Sequence, residues 1–355
     1  MSPTQIPQTM KALVTQGKGT VAIQEKPVPA IADDEILVKV IATAQNPTDY
    51  KYIDLFGNPG TITGVDWAGV VVKLGKDVAD FALGERVAGF TQGGVYEDRG
   101  AYAEYVKAAQ DLAWKIPDGF SFEQAATLGC AFWTAVMGLF NPDYLGLVEP
   151  PAKITKDEWV FIYGGSSSLG MYCIQLAHLA GYKIVTVASP RNWDMCKALG
   201  ADVVLDYRDP EFIEKVKATT GDTLHRVFDT ISEEKTARAS IAALAPGPGR
   251  VAIVLPIPEE VMHMREDVRL IDTLIYTSLG RPIAWFGETI PVRPADRTHM
   301  AAFLRKLPGL LRTGAIQPNP IRLWPGGLAA VPDGLQYMRE GKTSAEKIVY
   351  RIAEP

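Results

Sequence analysis

Residues 159–181, WVFIYGGSSSLGMYCIQLAHLAG, constrain the fold more than any other stretch of this chain. The apolar run from Val160 to Tyr163 predicts a strand buried on both faces of a parallel sheet. Gly164 and Gly165 break it. Apolar residues then recur at Leu169, Cys173, Leu176, Ala177 and Ala180, one face of a helix that Gly181 stops. Strand, glycine turn and helix in that order bring backbone N–H groups and a positive helix end together, which suits a pyrophosphate. The spacing is Gly165-x-Ser167-x-x-Gly170, with serine where the dinucleotide fingerprint has its middle glycine. The hydroxyls of Ser166, Ser167 and Ser168 add donors beside Leu169.

Strands and helices alternate after this unit. Strands are predicted over 183–189, 202–207, 226–230 and 250–256, with helices over 192–199, 211–219 and 235–244. This alternation predicts βαβ units in a doubly wound parallel sheet. The first third reads differently. Short strands at 10–14, 21–23, 35–43, 64–72, 85–90 and 101–106, separated by turns, predict a small, partly closed β-barrel. Strand 35–43 alternates as if one face were solvated, and Asn46 caps the segment after it. Ser121 and Gln124 form a capping box ahead of a helical region from Phe122 to Phe140, and a further helix is expected from Ala295 to Leu311. The tail regains strand character at Lys347–Ile352, so the C-terminal segment is expected to rejoin the first domain. The expected domains are 1–152 with 315–355, and 153–314.

With 355 residues, 47% of them hydrophobic, the chain can bury two cores. A net charge of −5 without a basic cluster argues against nucleic acid as a partner. No apolar span is long enough for a membrane helix, and the start, MSPTQIPQ, lacks the pattern of a secretion signal, so a cytoplasmic location is expected. Cys130, Cys173 and Cys196 lack metal-ligand spacing and are expected as buried thiols. His178, His225, His263 and His299 follow no relay spacing and receive no catalytic role.

Nucleotide choice rests on the end of the second strand, where enzymes that use NAD place an acid for the ribose diol. Here the chain reads Ala188, Ser189, Pro190, Arg191, Asn192, with no acid. Ser189 and Asn192 offer hydrogen bonds, Arg191 a forked cation suited to a phosphate dianion, and Tyr207 closes the third strand at the same sheet edge. NADPH is the expected cofactor.

Barrel, nucleotide domain and returning tail, together with NPTD at 46–49, GVDWAG at 64–69, GERV at 84–87, AYAEY at 101–105 and GADVVLDY at 200–207, resemble the medium-chain dehydrogenase/reductase superfamily. The resemblance implies a GroES-like β-barrel catalytic domain and a Rossmann domain. Its zinc-dependent branch carries a Cys near position 46 and a His-Glu pair after Gly64; this chain has Asn46, Val65 and Asp66, and no metal is expected. NPTDYK at 46–51, YGGSS at 163–167, SPRN at 189–192, DYR at 206–208 and SAEK at 344–347 resemble most the trans-acting enoyl reductases that serve fungal polyketide synthases. Gly129-Cys130 departs from the proline-containing bend common in relatives.

That resemblance implies NADPH contacts at Thr48, Asp49, Tyr50, Lys51, Ser166, Ser167, Ser168, Leu169, Ser189, Pro190, Arg191, Asn192, Tyr207, Val254, Leu255, Ala345 and Glu346. It implies an acyl chain along Ala135, Val136, Met137, Gly138, Leu139, Phe140, Asn141 and Pro142, and along Thr277, Ser278, Leu279, Gly280 and Arg281. The expected reaction is reduction of an α,β-unsaturated thioester carried on an acyl-carrier domain of a polyketide synthase. Lys51, Tyr50 and Thr134 are the candidate catalytic residues, as donors to the enolate oxygen or the α-carbon. Arg281 and its neighbours are a candidate basic rim for an acidic carrier. The stretch 281–294, with three prolines after the first arginine, is expected to interrupt edge pairing, which favours a monomer. Two other readings share the nucleotide residues: a free-standing NADPH quinone or enone reductase, and a non-catalytic NADPH-binding protein.

Overall fold

The computed structural model describes residues 6–285 and 288–354. Residues 1–5 of the N-terminal stretch, Phe286 and Gly287 of the proline-rich stretch, and Pro355 lie outside the described residues. The chain divides into two compact units: Met1–Cys130 with Ala301–Thr313 and Gln317–Pro355, and Ala131–Met300 with Gly314–Ile316.

In the first unit, seven strands among the described residues form one sheet. Its order is Ile321–Trp324, Lys347–Arg351, Glu35–Ala44, Asp66–Leu74, Arg86–Phe90 and Ala113–Lys115, with Tyr105–Ala109 also paired to Glu35–Ala44. Strand Glu35–Ala44 is central, and two register shifts against Asp66–Leu74 bend it. It has no solvated face: all but Lys39 are buried, because helix Phe122–Ala126 packs on it as well as the apolar cluster of Trp67, Val71, Val87 and Val106. The tail joins this unit through Val349, Tyr350 and Arg351, which pair antiparallel with Ala44, Thr43 and Ala42. The strand expected at 101–106 begins only at Tyr105; before it, Ala103 makes a single bridge to Ala12. A helix, Pro47–Leu55, comes directly after Asn46, with proline in its first turn.

The second unit holds six parallel strands among the described residues, ordered Val203–Leu205, Lys183–Val187, Trp159–Tyr163, Arg226–Asp229, Gly249–Ile253 and Val268–Asp272. This is the 3-2-1-4-5-6 order of doubly wound dinucleotide folds. Phe161, Val185, Val227 and Val251 form its core with Val216 and Ile241 from the helices.

Residues 131–152, expected with the first domain, cluster with this second unit. Helix Cys130–Phe140 packs there closely: the Phe132 ring meets Tyr172 edge-on at 5.4 Å, and a Cβ on Gly138 would fall 2.5 Å from the Phe228 ring. The predicted helical region 122–140 is thus two helices, Phe122–Ala126 and Cys130–Phe140, separated at Thr127–Gly129. Likewise 295–311 divides into Pro294–Leu304 and Leu307–Arg312, where Pro308 takes a first-turn position it could not hold mid-helix. In the proline-rich stretch, Ile283–Trp285 pairs antiparallel with Glu288–Ile290, because Pro282 and Pro291 lie just outside the ladder. Among the described residues no helix is long and apolar enough to cross a membrane.

Candidate active site

In the second unit, strand Trp159–Tyr163 ends where the strand order reverses, the place at which such sheets bind nucleotides. The turn after it is closed to side chains. A Cβ on Gly165 would lie 2.2 Å from Thr186 Oγ1, and one on Gly170 would lie 2.2 Å from the Gly164 carbonyl. Ser167 is the N-cap of helix Ser168–Leu179: its Oγ accepts from the Gly170 N–H at 2.9 Å and lies 2.9 Å from Thr230 Oγ1. Thr230 in turn donates to the Tyr163 carbonyl at 2.7 Å. The serine at the middle fingerprint position therefore ties the turn to the fourth strand, and Ser166 and Ser168 stand half-buried on either side.

At the sheet edge, Ser189 Oγ and Tyr207 Oη come within 3.4 Å of each other. Tyr207 is 41% exposed, and Arg191 is exposed in the turn Pro190–Asn192. Arg208 lies 5.7 Å from the Tyr207 ring centroid and is held by Asp206 at 2.8 Å. Val254 donates its N–H to Ser232 Oγ at 2.8 Å, next to half-buried Leu255.

The residues expected along the acyl chain form a buried wall of this unit. Ala135 to Asn141 are all buried, as is Thr134 before them, and Pro142 is exposed. Thr277, Ser278 and Leu279 lie in the turn Ile275–Leu279, which Gly280 ends at φ +67° ahead of half-buried Arg281. One carboxylate joins the two segments: Asp296 accepts from Asn141 Nδ2 at 3.0 Å and from Thr277 Oγ1 at 2.6 Å.

The first unit holds helix Pro47–Leu55. Thr48, Tyr50 and Lys51 are half-buried on it, while Asp49 turns inward. Asp49 Oδ2 accepts from the Asn46 N–H at 2.7 Å and from the Tyr102 hydroxyl at 2.8 Å. Its Oδ1 is buried without a partner among the described residues. Burial pushes the Asp49 carboxyl up to about 7, and the bare Oδ1 leaves room for the proton. Burial also raises the Tyr50 phenol, whose ring lies 5.5 Å from the Arg339 guanidinium; Asp54 holds that guanidinium at 2.8 and 2.9 Å. Ala345 sits at φ +55°, and the Glu346 carboxylate is engaged by Arg322 at 3.1 Å.

The state of Asp49 has a consequence for stability. Its folded pKa, about 7, lies above the ordinary 3.8, so folding takes up a proton between these values. The resulting stabilisation is complete below pH 3.8 and is lost as pH rises towards 7. Asp49→Asn replaces the bare oxygen by an amide nitrogen and removes the titration. Urea unfolding at pH 5 and pH 8 should show the wild type losing roughly 2–4 kcal/mol more than the variant over that interval.

Two family models match the chain: the alcohol dehydrogenase GroES-like domain over residues 32–118 and the zinc-binding dehydrogenase over residues 168–269. Trans-enoyl reductase ACTTS2 of Alternaria alternata is 40% identical over 350 residues, covering 97% of this chain and 99% of that protein. The chain belongs to the medium-chain dehydrogenase/reductase family, alongside the fungal trans-enoyl reductases. Trans-enoyl reductase caaB of Aspergillus niger is 36% identical to this chain, covering 98% of each chain. The crystal structure of CurK enoyl reductase shares the fold, with a TM-score of 0.77 and 21% identity over 97% of this chain and 99% of that one.

The family description includes zinc, and the residues of this chain do not fit it. Zinc takes thiolate, imidazole and carboxylate ligands. Position 46 supplies an amide and position 65 a valine. The Asp66 carboxylate is already engaged on both oxygens, by Asn46 Nδ2 at 2.7 Å, the Cys130 N–H at 2.5 Å and Lys347 Nζ at 3.2 Å. Among the described residues no three His, Cys, Asp or Glu side chains gather as a metal site.

A dinucleotide does fit. Glycines that admit no Cβ, a helix N-terminus, and hydroxyls beside an exposed arginine all lie at the strand ends of the second unit. Sequence reasoning missed Thr230, Asp296 and Tyr102. A lone Thr, Asp or Tyr in a mixed stretch carries no spacing signal, and each acts through a partner distant in the chain.

Proposed function

We propose that this oxidoreductase is an NADPH-dependent enoyl reductase that reduces the α,β-unsaturated thioester of a carrier-bound polyketide intermediate, in trans, for a polyketide synthase. The observation that carries this reading is likeness over nearly the whole chain to proteins named trans-enoyl reductases. The nucleotide half supports NADPH: the second strand ends without an acid, and Ser189, Arg191 and Tyr207 together offer two hydroxyls and a forked cation to a 2′-phosphate. Backbone N–H groups at Ser168 and Leu169 and the capped turn at Ser167 would hold the pyrophosphate.

NADPH, when bound, supplies a hydride to the β-carbon of the thioester. The negative charge that then develops on the thioester oxygen requires a donor, and the α-carbon requires a proton. Lys51 is assigned to both tasks: an ammonium on a half-buried helix face is strengthened as a donor by partial removal of water. Tyr50 supports it as a second donor, although its raised pKa makes it a weaker acid. The buried Thr134 hydroxyl is assigned to orienting the carbonyl. No step is assigned to a metal.

The test is NADPH consumption with matched crotonyl thioesters on pantetheine, coenzyme A and a carrier protein. Turnover of all three, fastest on the carrier, is the expected result. Reduction of quinones with no thioester turned over would instead make the protein a free-standing quinone reductase. Lys51→Met should lower kcat by roughly a hundredfold or more while leaving NADPH affinity within about threefold.

A further inference from the structure

Lys347 is buried: its side chain is 1% exposed, and its Nζ lies 3.2 Å from Asp66 Oδ2, on a side chain that is 0% exposed. The same Nζ donates to Asn46 Oδ1. Burial raises the Asp66 carboxyl, and Lys347 pulls it back. Geometry decides its state: both oxygens face donors, so no acceptor remains for a carboxyl proton, and the group is read as ionised. Gly129 makes this possible, since a Cβ there would lie 2.2 Å from Asp66 Oδ1, the oxygen that accepts the Cys130 N–H.

The Asn46 amide is held between the two charges. Its Nδ2 donates to Asp66 and its Oδ1 accepts from Lys347. Rotating the amide by half a turn would set N–H against ammonium and oxygen against carboxylate, so the ion pair selects one orientation. Asn46 is also the N-cap of helix Pro47–Leu55, and its own N–H is bound by Asp49 from the first turn. The ion pair thereby fixes the start of the helix on which Tyr50 and Lys51 stand.

We propose that Lys347 is a positioning residue, a buried cation in the polar core of the first unit that sets the register of helix Pro47–Leu55 through Asn46. Its catalytic consequence rests on the enoyl reductase reading; its structural consequence does not.

Lys347→Met alone strands a buried carboxylate and is a poor test, because it threatens folding. Asn46→Ala leaves the Lys347–Asp66 pair intact and removes the relay together with the side chain of the N-cap, whereas the charge-pair variant below keeps that side chain. The double variant Lys347→Met/Asp66→Asn removes both charges, a change that buried pairs often tolerate. Hydrogen–deuterium exchange over residues 51–55 should accelerate roughly tenfold or more in both, while the strands of the nucleotide unit keep their protection. With crotonyl pantetheine, kcat should fall roughly tenfold or more at nearly unchanged KM and NADPH affinity. Exchange and kcat both staying within about twofold of wild type in the Asn46 variant would overturn the proposal, since its relay would then be idle. Wild type without thioester turnover would defeat the functional reading alone, and the exchange result would still decide this one.

Discussion

Gly170→Ala is expected to raise the dissociation constant for NADPH by roughly a hundredfold or more, about 2.7 kcal/mol. The added Cβ would fall 2.2 Å from the Gly164 carbonyl oxygen and 2.9 Å from Gly165 Cα, both backbone atoms with no rotamer to yield. Relief requires the helix start to move away from the strand end. That motion breaks the bond from the Gly170 N–H to Ser167 Oγ, and with it the link to Thr230. The anion-binding N–H groups then no longer converge. Overpacking of this kind also costs about 1–3 kcal/mol of stability, which the second unit should survive. Fluorescence titration with NADPH checks affinity, and circular dichroism checks that the fold persists. Ser166→Ala serves as the comparison, since it removes one half-buried hydroxyl without adding bulk. Equal affinities for the two variants would contradict the assignment of this turn.

Arg191→Ala should act on the choice between nucleotides. The side chain is exposed on a short turn, so the substitution leaves no cavity in a core. Charge-assisted hydrogen bonds contribute about 1.5–3 kcal/mol each, so kcat/KM with NADPH should fall by roughly 10- to 100-fold. With NADH it should change by less than about twofold, because the 2′-hydroxyl offers no dianion to the guanidinium. Ser189→Ala should lower the NADPH value less, by roughly threefold to tenfold, since a neutral hydroxyl is lost and Tyr207 remains. Parallel losses with both nucleotides would mean that Arg191 supports the turn and does not read the phosphate.

The nucleotide half was the more legible of the two. Its strands are short apolar runs ended by Gly or polar residues, and period and punctuation suffice to place Trp159–Tyr163, Lys183–Val187 and Gly249–Ile253 within a few residues. Val268–Asp272 escaped because Arg269 interrupts its apolar run: an edge strand tolerates an exposed charge that a central strand does not. In the first unit, strand 35–44 carries Lys39 and reads as half-solvated, yet it is paired and packed nearly throughout. Pairing partners supplied from far along the chain leave no local trace. The same holds for the polar core. Asn46, Asp66, Gly129 and Lys347 are separated by up to 301 positions, and only the folded chain shows that one ion pair joins them. Ser167 is the instructive intermediate. Its spacing marked the turn, but its hydroxyl caps the helix and meets Thr230, so the apparent defect in the fingerprint is a structural bond.

The most direct measurement traces the label from NADPH deuterated at the transferable C4 position into the product of crotonyl pantetheine in ordinary water. One deuterium at the β-carbon of a butyryl thioester, with the α-carbon proton drawn from solvent, is the predicted result. Deuterium at the α-carbon, or NADPH bound at the glycine turn with the crotonyl thioester returned unchanged, would contradict it.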